Sequence, residues 1–287
     1  CNGCHVRAAQ NPRSHGRKGV FNAAWGGATG GSFPGAKPTL APQTGETMAQ
    51  TRARLTCALS GPDKCRSMQP SVNIVFTYEW TDPVASGRQP DASFAYRYAD
   101  LQTPAPTTPE CAARWSATCR IVINYPQVIH PLWSLPRITL AADNVTVLSD
   151  NTCTRCHSPR DAANVIRVPA GQLDLSDGPS DDDPDQLKSY RELLFTDNAQ
   201  EVNMGALQDI QVVVGTDPVT GLPITQPVPV PPSMAAGNAR GSTRFFSRFD
   251  AGGTHAGYLT DAEKRLLSEW LDIGAQYYNN PFQAPAN

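Results

Sequence analysis

Two short runs in this chain have residue types and spacing that do chemistry: Cys1-Asn2-Gly3-Cys4-His5 and Cys153-Thr154-Arg155-Cys156-His157. Each is a C-x-x-C-H run, the attachment signature of c-type haem. The two thiols of such a run add across the two vinyl groups of one porphyrin as thioethers. The histidine that follows is held under the iron as proximal ligand. Two runs predict two covalently attached haem c groups, with His5 and His157 as proximal metal ligands.

Other readings of a C-x-x-C pair are a dithiol redox pair and half of a zinc site. A zinc site could join Cys1, Cys4, Cys153 and Cys156 as four thiolates, but it would not need a histidine in the same place after both pairs. A thioredoxin-like pair belongs between a strand and a helix. Haem is the reading that uses every residue of both runs.

Each iron has a second axial position, and the chain holds five histidines: His5, His15, His130, His157 and His255. With two proximal, three remain for two distal positions. His130 sits in the apolar, aromatic stretch Val128-Ile129-His130-Pro131-Leu132-Trp133, suited to a haem wall. His255 sits in Gly252-Gly253-Thr254-His255-Ala256-Gly257, where glycine neighbours let the backbone approach a flat ring. His15 is flanked by Arg13, Arg17 and Lys18, charges that suit haem propionates or solvent. A lone histidine is ordinarily structural or exposed; two irons in need of ligands change that expectation. The expected pairing is His157 with His255 and His5 with His130, with His15 as the remaining candidate. Methionine is the rival ligand and raises the potential. Met48, Met68, Met204 and Met234 are available, although core filling is the commoner use of methionine.

The other four cysteines bear on compartment. Cys57 and Cys65 bracket one short segment, and Cys111 and Cys119 another. Local disulfides Cys57–Cys65 and Cys111–Cys119 are expected, one of three pairings that four cysteines allow. Loops this short contribute about 2–3 kcal/mol each when closed without strain. Disulfides and thioether-bound haem both belong outside the cytoplasm, so the protein is expected in the periplasm, at the cell surface or outside the cell. A signal sequence removed from upstream of Cys1 is expected for the same reason. A lipid-modified Cys1 is the competing idea, and it would consume a thiol the haem needs.

The elements that must position these groups are short. Residues 6–10 read as a brief helical stretch ended by Pro12, and 45–55 as a helix before Cys57. Residues 71–80 read as a strand, with Val72, Ile74, Phe76 and Tyr78 on one face. Residues 93–98 and 119–125 read as further strands, and 138–148 as a hairpin around Asp143-Asn144. The second haem run opens a short helix. Asp177, Asp181, Asp182, Asp183 and Asp185 form an acidic loop that could chelate calcium, although its spacing is not that of an EF-hand. The bland alternative is a solvated start to a helix over 186–195. Residues 210–214 and 224–230 read as a hairpin with a longer loop, its second arm limited by prolines. Thr260-Asp261-Ala262-Glu263 is a capping box, and Leu266, Leu267, Trp270 and Leu271 line one face of the helix it opens, with Gly274 near its stop.

The expected fold class is therefore α+β and loop-rich: short helices packed around two covalent haems, with small β elements stapled by disulfides. Residues 1–127 read as an N-terminal haem region with a disulfide-pinned β element, and 128–287 as a C-terminal cytochrome c-like haem domain. The frequency of proline (26) and glycine (22) in 287 residues fits a loop-rich chain. A formal charge of −2 gives no footprint for nucleic acid, and no apolar run is long enough to span a membrane.

The stretch Ile129-His130-Pro131-Leu132-Trp133, the run Cys153 to His157, and the segment from Leu259-Thr260-Asp261-Ala262-Glu263 to Trp270-Leu271-Asp272-Ile273-Gly274-Ala275 resemble a known pattern. It is that of cytochrome c modules abundant in planctomycetes, including proteins related to the hydrazine synthase alpha subunit. The resemblance covers roughly residues 128–280. It implies a haem bound by His157, with a distal ligand from the His255 loop. Hydrazine chemistry is not implied: in that family it depends on a further haem domain and partner subunits, and the first half of this chain departs from the pattern.

Three functions remain in view. An extracytoplasmic dihaem c-type cytochrome would carry electrons as one link of a longer haem chain, serving other redox proteins or copies of itself, as a homo-oligomer or filament. A dihaem oxidoreductase, a peroxidase or a nitrogen-compound enzyme, would need one open iron and an acid–base residue beside it. A structural module would use haem only to fold. Axial ligation separates the first two.

Overall fold

In a computed structural model of the chain, residues 35–57, 71–76 and 81–279 are described, Met48, Ala49, Thr56 and Cys57 by backbone alone. The first C-x-x-C-H run, His15, the stretch expected helical over 6–10, Met68 and Cys65 lie outside them. The chain divides into two units: residues 1–97 with 110–117, and residues 98–109 with 118–287.

In the first unit, helix α1 (Met48–Cys57) falls within two or three residues of the expected limits. Glu46 holds its approach to the helix. Its carboxylate accepts from Arg54 Nε at 2.6 Å and from Thr51 Oγ1 at 2.9 Å. Strands β1 (Ile74–Phe76) and β2 (Phe94–Tyr96) pair antiparallel, and the rings of Phe76 and Phe94 stack across the ladder at 5.0 Å. Between them, the short helix α2 (Pro83–Ser86) is capped by Asp82, which accepts from the backbone N–H of Val84 and Ala85. Helix α3 (Pro109–Ala113) carries Cys111, and Cys111 and Cys119 are joined as a disulfide.

The second unit is built on a core of Ile123, Tyr125, Val128, Ile129, Leu132 and Trp133 packed with Leu193, Met234, Phe245 and the apolar face of the last long helix. The expected strand over 119–125 is absent. Val122 donates to Pro106 O, Tyr125 donates to Tyr277 O, and Ile123 and Tyr125 are buried. The β-branched run fits this core without any strand partner. A π-helical turn follows over Tyr125–Ile129, with Asn124 Oδ1 accepting from Gln127 N, and runs into α4 (Pro131–Ser134).

Strands β3 (Ile138–Leu140) and β4 (Val147–Asp150) form the expected hairpin. Asp143 Oδ1 accepts from the N–H of Val145 and Thr146, and Asn144 adopts φ 55°, a conformation asparagine tolerates. Helix α5 (Cys153–Cys156) is a single turn carrying the second C-x-x-C-H run, and α6 (Lys188–Leu194) follows the acidic loop.

Residues 197–230 then form three nested antiparallel ladders. Strand β5 (Asp197–Asn198) pairs with β10 (Pro229–Val230). Strand β6 (Gln200–Asn203) pairs with β7 (Ala206–Asp209), and β8 (Gln211–Thr216) with β9 (Pro223–Pro227). They meet where Ala199 donates to Val228 O, Val228 to Ile210 O, and Ile210 to Ala199 O, a closed ring of three backbone hydrogen bonds of 2.8–3.0 Å. The two-strand geometry stays local: among the described residues no sheet exceeds two strands.

After α7 (Thr243–Phe246), helix α8 (Asp261–Asp272) closes the unit. Its capping box forms as expected: Thr260 Oγ1 accepts from Glu263 N, and Glu263 Oε2 accepts from Thr260 N at 2.7 Å. Leu266, Leu267, Trp270 and Leu271 are fully buried, and Gly274 at φ 102° lets Ala275 N reach back to Trp270 O. Among the described residues no helix is long and apolar enough to cross a membrane.

Candidate metal centre

The turn α5 presents two free thiols, Cys153 half-buried and Cys156 exposed. His157 caps the turn, its N–H donating to Cys153 O at 2.9 Å. The loop 173–175 then grips it twice. His157 Nδ1 lies 3.3 Å from Leu173 O, and Leu175 N donates to His157 O at 2.9 Å. A proton on Nδ1 shared with a carbonyl leaves the lone pair on Nε2, the tautomer a metal needs. Arg167 ties the far side of the turn, donating to Ser158 O, Ser158 Oγ and Arg155 O.

His255 is brought to His157 from the other end of the unit. The ring centroids are 6.0 Å apart and the planes tilted by 32°. The loop that carries it is closed by His255 N donating to Arg248 O at 2.8 Å and Gly253 N to Asp250 O at 2.8 Å. Gly253 is required by space. A Cβ there would collide with the backbone carbonyls of Arg248 and Ser247. Thr254 Oγ1 lies 2.8 Å from His255 Nδ1, and the rings of Phe249 and Tyr258 flank the imidazole at 5.6 and 5.4 Å.

Burial, and then the neighbouring His255, hold the His157 ring below the ordinary histidine value. Burial and Arg248 do the same to His255. Both imidazoles are therefore neutral near pH 7 and able to donate lone pairs. Burial pushes the Cys153 thiol up, against the pull of the Arg137 guanidinium.

Arg137 also anchors the turn. Its guanidinium pairs in fork geometry with the buried Glu263 at 2.9 and 3.1 Å. Its backbone N–H donates to Thr152 Oγ1, the residue before Cys153. One carboxylate thus caps α8 and, through Arg137, holds the segment that carries Cys153 and Cys156. Motif reading does not single out this pair, because nothing in spacing connects residues 137 and 263.

The spacing of the two rings is compatible with two imidazoles on one metal atom. Two metal–nitrogen bonds of roughly 2 Å, plus the distance from each nitrogen to its ring centre, put two axial imidazoles at about the separation seen. Among the described residues no group of three or more His, Cys, Asp or Glu is arranged to hold a metal ion directly.

The structure does not bring His130 to this pair. His130 Nδ1 is 3.0 Å from Ser189 Oγ, and Nε2 is 2.6 Å from Asp177 Oδ1. Tyr125 OH donates to Ser189 Oγ, and Trp133 Nε1 to Tyr125 OH, making a chain from the core to the surface. Ser189 is fully buried, so this Ser–His–Asp sequence presents no nucleophile. In the acidic loop, Asp177 faces His130, Asp182 pairs with Arg191 at 3.4 Å, and Asp183 accepts from Asp185 N. Met234 is buried in the core and Met204 fully exposed. Cys57 ends α1, but its side chain and Cys65 lie outside the described residues. Comparison of the chain with protein-family models, curated proteins and solved structures finds no match.

Proposed function

We propose that this chain is an extracytoplasmic dihaem c-type cytochrome that carries electrons between redox partners. The observation that carries the reading is the opposition of His157, the histidine of a C-x-x-C-H run, to His255 at 6.0 Å between ring centroids. Bound haem supplies a one-electron iron couple. Cys153 and Cys156 would hold it through their sulfurs, and His157 and His255 would bind its iron through their ring nitrogens. Leu173 O and Thr254 Oγ1 orient the rings through Nδ1. Two strong ligands on one iron leave no position for a substrate, which favours electron transfer over catalysis. The second haem rests on the run Cys1, Cys4 and His5. The disulfide at Cys111 and Cys119 is compatible with an oxidising compartment. Other redox proteins or further copies of the chain are the proposed partners.

The test is haem content by pyridine haemochrome, with electron paramagnetic resonance of the oxidised protein. Two haems per chain with low-spin bis-histidine signals support the reading. A high-spin iron that binds cyanide overturns it in favour of an enzyme, and absence of haem overturns it altogether.

A further inference from the structure

We infer that Glu192, with Asp197 beside it, is a proton site coupled to the redox centre at His157 and His255. Glu192 takes up one proton from solvent as that centre accepts one electron from an external one-electron donor, and releases it on reoxidation. This rests on the haem reading and extends it from electron transfer to proton-coupled electron transfer.

The geometry is a three-residue bridge. Leu173 O and Leu175 N both hold His157. The residue between them, Asp174, donates its N–H to Glu192 Oε2 at 3.3 Å. The same loop thus touches the candidate ligand on one side and a carboxyl group on α6 on the other. Strand β5 brings Asp197 into hydrogen-bond contact with Glu192. Two carboxyl groups can share a hydrogen bond only if one keeps a proton.

The charges around the pair are accounted for. Asp174 Oδ2 takes Lys188 Nζ at 3.4 Å, and its Oδ1 accepts from Ser176 N and Oγ. Arg191, the other cation of α6, pairs with Asp182 and lies over the Phe195 ring. The acids Asp174, Glu192 and Asp197 are not disposed as a metal site.

Burial first, then the charge of Asp197, pushes Glu192 up to about 8, so it changes state near neutral pH. An electron added nearby raises the proton affinity of a half-buried acid. By reciprocity, loss of that proton lowers the electron affinity of the centre. The reduction potential therefore falls as pH rises through this window.

The experiment is a spectroelectrochemical pH titration of the holoprotein, alongside reduced-minus-oxidised infrared spectra, for the wild type, Glu192→Gln and Asp197→Asn. In the wild type, one haem potential should fall between about pH 7 and 9, and reduction should add a protonated-carboxyl band. Glu192→Gln should flatten the potential in that window and remove the band. Asp197→Asn, which keeps Glu192 but removes the like charge, should move the window toward acid. A haem-loaded wild type with a flat potential overturns the inference, as does a slope that survives in Glu192→Gln. A protein that carries no haem c overturns the underlying reading instead, and haem counting tells the two failures apart.

Discussion

His157 and His255 stand ring to ring at 6.0 Å, yet one caps a single helical turn and the other sits in a glycine-rich loop nearly a hundred residues later. Each is fixed from behind: His157 by the loop at Leu173 and Leu175, His255 by the carbonyl of Arg248. Such independent fixing is how a protein sets axial geometry before anything binds. On the proposed dihaem reading, replacing His255 by alanine should therefore convert one haem from low spin to high spin and open it to cyanide. His130→Ala should leave that haem low-spin. Electron paramagnetic resonance with a cyanide titration reads both.

Gly253 gives a sharper test of the loop, because it touches no ligand. Its missing Cβ is what lets the chain pass the carbonyls of Arg248 and Ser247. Gly253→Ala should cost about 1–3 kcal/mol, as overpacking does. It should also weaken the His255 ligand, seen as a partly high-spin spectrum. Gly252→Ala strains φ at 84° but meets no atom within 4 Å, and should perturb the spectrum less.

The Arg137–Glu263 pair is buried at both ends, with side chains 11% and 2% exposed. Removing one partner of a buried pair typically costs about 3–5 kcal/mol, because the other charge is left uncompensated. Glu263→Ala should reach that range in urea unfolding, since it also removes half of the capping box. Arg137→Met combined with Glu263→Gln should recover much of the loss.

Stability should depend on pH in two opposed ways. Glu192 is pushed from 4.5 to about 8 in the folded state. The unfolded chain therefore gives up this proton first, and folding stability falls as pH rises from about 4.5 to about 8. Glu192→Gln should remove that slope, gaining stability over the wild type at pH 9 relative to pH 5 by on the order of a few kcal/mol. His157 and His255 are held low. The unfolded chain binds their protons first on acidification, so their contribution is lost as pH falls through and below the ordinary histidine value. Urea midpoints for the haem-free chain across this range measure both.

Helix α8 and the hairpin at Asp143-Asn144 were legible in the sequence because their signals are local. A capping box and a four-residue apolar stripe act within a few residues, and the hairpin's arms lie close together in the chain. The run Cys119 to Tyr125 was misread for the complementary reason. Its β-branched residues suit a strand, but tertiary packing of Ile123 and Tyr125 and the bond from Tyr125 to Tyr277 decide the matter. The β6–β7 hairpin was missed because its turn, Met204-Gly205 with φ 50° and 79°, puts methionine where asparagine or glycine usually gives the signal. At the site, C-x-x-C-H and the scarcity of histidine point to His157 and His255. Glu192, Asp174 and Asp197 carry no motif, because three separate elements bring them together.

The ring of hydrogen bonds joining Ala199, Ile210 and Val228 has an engineering consequence. It pins the ends of two hairpins at one point while their tips, Met204-Gly205 and Val219-Thr220, stay exposed. Foreign sequence inserted at either tip leaves the pinned ends where they are, and lengthening a closed loop costs little. The chain offers two grafting sites for tags or docking peptides that leave the His157–His255 pair undisturbed.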